Sequence, residues 1–165
     1  TAKSQGEPKM EEAPITVDRN FSKQLAEVLK PYLEVKDALV ASDPEAASTR
    51  INNVASALEK VNMNLLKGDA HMKWMENLNR MNESVKVIKD TKDVEKQRAS
   101  FAQLTDDLYS SIKTFNVTGL QSYYQFCPMA FDNKGAYWIS REKEISNPYF
   151  GEQMLRCGET KETLK

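Results

Sequence analysis

Cys127, Pro128 and Met129 stand in a row inside YYQFCPMAF, and the second cysteine of the chain, Cys157, lies in MLRCG, beginning at Met154. Soft thiolate and thioether groups select Cu(I) and similar ions, and imidazole also suits copper. Cys127 and Met129 place two sulfur ligands two residues apart, with Pro128 restricting the backbone between them. Met154 and Cys157 stand at i and i+3, one face of a helical turn. His71 and Met75 stand at i and i+4, again one face. Three segments thus each offer a pair of soft or borderline ligands, more than a low-coordinate Cu(I) or Ag(I) site needs.

Each pair also has a plainer reading. The two cysteines could close a disulfide across a loop of about 30 residues, worth roughly 3–4 kcal/mol in the chain-entropy account. A lone histidine on an apolar face, such as His71, is commonly a buried and satisfied side chain. Met72, Met75 and Met81 on one helix can serve as core filler. Met10 and Met63 carry no signal.

Other chemistries find little support. A structural zinc site of four cysteines, or of two cysteines and two histidines, needs more ligands than two cysteines and one histidine provide. No P-loop, GxGxxG or GxSxG is present. A Cys–His nucleophile pair built on His71 rests on residue count alone, so no enzyme is expected. The carboxylates lie beside lysines, as in EKEI and DVEKQR, and read as solvated helix faces. The cluster Thr105, Asp106 and Asp107 reads the same way.

The elements that must position these residues are helical. Phe21, Leu25, Val28, Leu29, Tyr32, Leu33, Leu39 and Val40 recur near a 3.6-residue period and predict a helix over about 18–40, kinked or split at Pro31. Asp43, Pro44 and Glu45 then form a helix start. The second helix is expected over about 44–65, on a stripe of Ala47, Ile51, Val54, Leu58, Val61 and Leu65. A third begins near Asp69 and ends at KDTKD, where Asp90 or Thr91 is the next cap. A fourth spans about 93–115 on Val94, Phe101, Leu104, Leu108, Ile112 and Phe115. Short connections between long helices imply antiparallel neighbours, hence an all-α, up-down four-helix bundle.

Past NVTG the pattern changes. Residues 120–165 are rich in aromatics, Gly and Pro. They are expected to be a mostly irregular extension packed on the bundle, with helical turns near SREKEI and GEQML and no strands. The NPYFG stretch reads as a structural turn. The expected organisation is a flexible segment over 1–17 and one helical-bundle domain over 18–165.

Composition bounds the partners. With 23 basic and 24 acidic residues the net charge is −1, which leaves no electrostatic footprint for nucleic acid or an anionic membrane. No apolar run approaches the roughly 20 residues that span a bilayer. The polar start TAKSQGEPKMEEAP is expected to follow a removed export signal.

Five stretches together carry a resemblance: PYLEVKDALVASD, GDAHMKWM, QRASFAQLTDDLY, YYQFCPMAFDNKGAYWIS and EISNPYFGEQMLRCG. They resemble a bacterial envelope family labelled a domain of unknown function, over about residues 25–164. In that family the domain occurs alone, as an exported protein or lipoprotein, and fused to periplasmic adaptor subunits of copper/silver-type heavy-metal efflux pumps. The resemblance implies a periplasmic or cell-envelope helical bundle, lipid-anchored upstream of Thr1 in some members, that binds and hands over Cu(I) or Ag(I). An efflux adaptor or another periplasmic metal-handling protein is the implied partner. Tyr124–Met129 also resembles the Y-x-C-P-M-H-P metal motif of other efflux adaptors, but Ala130 and Phe131 replace its His-Pro. The implied ligands are Cys127, Cys157, Met129 and Met154, with His71 filling the vacancy if the third helix reaches the extension. The alternative is a non-catalytic interaction module whose Cys127 and Cys157 form a disulfide pinning the extension.

Overall fold

The structure is a computed structural model and describes residues 15–165. Four long helices come first: α1 (Arg19–Val40), α2 (Pro44–Glu59), α3 (Gly68–Asp90) and α4 (Val94–Thr114). Three of them start where a side chain satisfies free backbone N–H groups. Asp18 accepts from Asn20 N, Asp43 from Ala46 N, and Asp93 from Glu95 N and Lys96 N. Asp93, not Asp90 or Thr91, is therefore the cap of α4. Thr91 instead accepts from the Asp93 N–H. α1 runs through Pro31 as one helix.

The second helix is shorter than its apolar stripe predicts. It ends at Glu59, and a 3₁₀ turn follows at Met63–Leu65. Asn62 accounts for the break: its side chain accepts from the Asn64 N–H, and its own N–H donates to Gln24 Oε1. A side chain that bonds its local backbone this way competes with the helix.

The extension corrects the all-α expectation. It forms a three-stranded antiparallel sheet, β1 (Ser122–Cys127), β2 (Ala136–Ser140) and β3 (Glu159–Leu164), in the order β2-β1-β3. Cys127 pairs with Ala136 across β1–β2, and Phe126 pairs with Glu159 across β1–β3. A register shift between Tyr124 and Gln125 leaves Lys161 as an extra residue in β3. The SREKEI stretch is not helical. Gln125 Nε2 donates to the carbonyls of Glu142 and Lys143, which holds that loop open beside the sheet.

Consecutive helices pack side by side, but α1 and α4 touch little, and β2 contacts both. The sheet thus closes the seam of the bundle. Phe21, Trp74 and Phe115 meet edge-on at one end of the core. Tyr32 stacks on Phe101 at 4.7 Å nearer the other end. Of the segment expected to be flexible, residues 1–14 lie outside the described residues. Ile15 and Val17 pack partly buried on the core, and the Ile15 N–H donates to Thr114 O. No helix among the described residues is long and apolar enough to cross a membrane.

Several residues read as solvated are interior. Arg98 is buried and donates to Pro148 O, Leu39 O, Ser42 Oγ and Glu95 Oε1, joining the NPYF turn to the α1–α2 corner. Thr105 is buried against Tyr32, and Asp107 accepts from Arg80 Nε at 3.0 Å. Burial is compatible with these polar groups because each has a partner.

Candidate functional site

The sheet register brings the two cysteines together. Phe126 opposite Glu159 sets Cys127, at the end of β1, beside the residues just before β3. Cys127 Sγ and Cys157 Sγ lie 3.1 Å apart, both as free thiols. Cys127 is fully buried and Cys157 is half-buried, so one sulfur faces the core and the other lies nearer solvent.

Local structure holds both. After Cys127 the chain turns through three residues in the left-handed region, Phe131 (φ 53°), Asp132 (φ 56°) and Asn133 (φ 65°), and then enters β2. A left-handed conformation at Phe131 costs on the order of 1–2 kcal/mol, so the turn must be held by its surroundings. The Gly135 N–H bonds Ala130 O, and Phe131 packs against Tyr149. On the other side, buried Asn147 donates from Nδ2 to Cys157 O and accepts from the Tyr149 N–H. The Cys157 N–H donates to Met154 O, in the short 3₁₀ turn Gly151–Met154. Gly158 (φ 146°) runs so close to Trp138 and Phe126 that a Cβ there would sit 2.8 Å from Trp138 Cη2 and 3.0 Å from Phe126 O.

The hydrogen bond to Cys127, with burial second, raises the pKa of the Cys157 thiol above its ordinary value. A disulfide bond is about 2.05 Å long, so closing one requires the sulfurs to approach by roughly 1 Å. A metal bridging two thiolates through bonds of about 2.3 Å, the zinc–sulfur length, holds them up to roughly 4.6 Å apart. The observed 3.1 Å lies between these limits.

The other predicted ligands divide into two groups. Met129, 46% exposed, starts the left-handed turn next to Cys127, and half-buried Met154 is hydrogen-bonded through its backbone to Cys157. His71 and Met75 flank Trp74, which packs on Phe21 and Phe115. The cysteine segments instead join the core through Tyr149 and Phe101. Phe101 and Phe115 are 14 residues apart on α4. At 1.5 Å per residue that is about 21 Å. The structure therefore does not bring His71 and Met75 to the thiols. Among the described residues, no three His, Cys, Asp or Glu side chains gather where they could hold a metal ion. The soft donors that remain are two thiols, with a methionine close in sequence to each.

Sequence reasoning singled out Cys127, Cys157, Met129 and Met154 but not the parts that place them. Asn147 was legible as a turn former, whereas its bond to Cys157 O depends on the fold. Gly158 directly after a cysteine was the available signal for a close backbone approach.

A family model matches residues 28–119. The chain belongs to the family described as "Protein of unknown function (DUF3347)". The match to DUF3347 covers most of α1, the rest of the bundle and the start of the loop into β1, and it ends before either cysteine. No curated protein and no solved structure matches the chain.

Proposed function

We propose that this DUF3347 protein is a soft-metal-binding module of the cell envelope, acting in the periplasm in Cu(I) or Ag(I) efflux or homeostasis. Cys127 and Cys157 supply the two thiolates, and Met129 and Met154 supply thioethers as the ion arrives or leaves. The observation that carries this reading is the convergence of two free sulfurs from separate segments, one of them half-buried. The flanking methionines support it, as does the resemblance of the CPM, GAYW, NPYFG and MLRCG series to domains fused to efflux adaptors. Transfer proceeds by ligand exchange: an incoming thiolate or thioether of an adaptor or similar partner replaces one cysteine at a time. The Cys157 proton must leave first, so binding releases protons and tightens as pH rises.

The test is an anaerobic titration of the reduced protein with Cu(I) against a chromophoric chelator, repeated on Cys127→Ser, Cys157→Ser and His71→Ala. Tight one-to-one binding, lost in both cysteine variants and kept in His71→Ala, is expected. Failure to compete with the chelator sinks the proposal. One observation favours a second reading, a non-catalytic interaction module pinned by a disulfide: the sulfurs need close by only about 1 Å to bond. Thiols that stay blocked to alkylation until a reductant is added would support that reading instead.

A further inference from the structure

One face of α1 carries unbalanced positive charge. Arg19, Lys23 and Lys30, together with Arg141 just past the end of β2, line a groove of about 480 Å³. None of the four makes an ion pair among the described residues, whereas Arg98, Lys113, Arg156 and Lys161 do. One carboxylate, Glu27, lines the same groove, leaving an excess of three positive charges. A second groove of about 490 Å³, between α1 and α2, shares Lys30 and Glu27 with the first, and with Lys60 and Glu34 its lining charges sum to zero. The charge in the first groove is therefore a local feature of a chain whose overall net charge is −1.

Dimensions restrict what fits. Arg19 and Lys30 are 11 residues apart on α1. That is about 16 Å along the helix axis, too far for one phosphate or carboxylate to satisfy both. An extended peptide at roughly 3.3 Å per residue spans it with about five residues. The floor between the cations is largely closed, with Leu29 3% and Leu120 6% exposed and Ala26 half-buried, so the charged rim rather than apolar contact recognises the occupant. Duplex nucleic acid and anionic membrane surfaces are long or flat polyanions that a net acidic protein repels outside this one groove.

We propose that this groove docks an extended acidic segment of a partner protein, with its carboxylates set on Arg19, Lys23, Lys30 and Arg141. The groove lies by Ser140 and Arg141, whereas Cys127 pairs with Ala136 at the other end of β2. A partner held there leaves the thiols uncovered. Such a surface contributes mainly association rate and selectivity, and salt weakens it.

The experiment is fluorescence anisotropy of a labelled hexapeptide of alternating glutamate and leucine, with its glutamine counterpart as the uncharged control. Saturable binding of the glutamate peptide is expected, weakened by about tenfold or more in Lys23→Glu/Lys30→Glu. A smaller loss is expected in Arg141→Glu, and no change in Lys60→Glu, which carries the charge change of Arg141→Glu outside the groove. Far-UV circular dichroism shows that each variant, altered only at exposed side chains, is folded. No binding, equal binding of the glutamine peptide, or equal losses in Lys60→Glu overturns the proposal. So does binding to phosphatidylglycerol vesicles without binding to the peptide, which would make the groove a lipid site. The measurement does not involve the thiols, so its outcome is independent of the Cu(I) titration.

Discussion

The Tyr32 hydroxyl on α1 accepts a hydrogen bond from the Ile139 N–H of β2 at 3.0 Å. Thr105 gives its own proton to Phe101 O, so Tyr32 donates to Thr105 Oγ1 at 2.7 Å, and one hydroxyl ties α1, α4 and β2 together. β2 is an edge strand, and this contact satisfies a backbone donor that the sheet leaves unpaired. All of these groups are buried. Tyr32→Phe leaves the Ile139 N–H without a partner and should cost about 1–3 kcal/mol. Urea denaturation measures it, and a loss below about 0.5 kcal/mol would mean the sheet is held by packing alone.

Lys36 makes the opposite case. Its side chain is buried, and Nζ has one weak partner, Ser140 Oγ at 3.4 Å. Burial lowers its pKa, with Asp37 and Glu142 opposing the shift. A lysine whose folded pKa is depressed binds its proton less well in the native state. It therefore destabilises the fold below that pKa, and the penalty disappears as pH rises to the ordinary value of 10.5. Lys36→Met should keep or raise the thermal midpoint at neutral pH and remove part of the rise in stability between neutral and alkaline pH. A clear drop in the midpoint at neutral pH would show that the ammonium group is a favourable contact.

How much of this was legible divides at residue 120. Asp43–Pro44 and the stripe on α4 marked the helices because each helix buries one face and leaves the other wet. The sheet was not legible. β1 buries Ser122, Tyr124, Gln125 and Cys127, so both faces are covered and no polar–apolar alternation survives. Arg98 and Thr105 were misread for a related reason: a buried polar side chain looks like a surface one until its partners, here Pro148 O and Tyr32, are placed. The two cysteines were legible as chemistry, and their partnership was one of the readings open. The separation of His71 from them was not, because it depends on which end of the bundle each occupies.

Glu162 gives the fold an acid-sensitive contact. It accepts from the Tyr109 hydroxyl, and from Lys113 Nζ at 2.6 Å, fastening β3 to α4. Burial alone would raise its pKa, but the bonds from Lys113 and Tyr109 more than offset that and hold the carboxyl below its ordinary 4.5. The depressed folded value means the contribution is fully present above pH 4.5 and is lost as pH falls through the folded pKa. Glu162→Gln should be less stable than the parent at neutral pH, and the two unfolding curves should converge in acid. A gap that stays constant down to acid pH would assign the effect to packing rather than charge.

Gly158 links the backbone to the thiol pair. It follows Cys157 directly, and the space a Cβ would need is taken by Trp138 and by the Phe126 carbonyl. With φ at 146°, an L side chain is also strained there. Neither neighbour can give way easily, since Trp138 is fully buried and Phe126 is paired on both sides within the sheet. In Gly158→Ala the chain must therefore shift and carry Cys157 away from Cys127. The variant should lose about 1–3 kcal/mol, the range for strain at a special backbone position. Its thiols should also cross-link more slowly with a mild oxidant such as diamide, and the Cys157 pKa, no longer raised by the bond to Cys127, should fall back toward 9.0. The pH dependence of iodoacetamide labelling reports that fall, with Cys127→Ala as the reference for an isolated Cys157. If Gly158→Ala is destabilised but labels and cross-links like the parent, the close approach serves the sheet alone, and Asn147 is what aims Cys157.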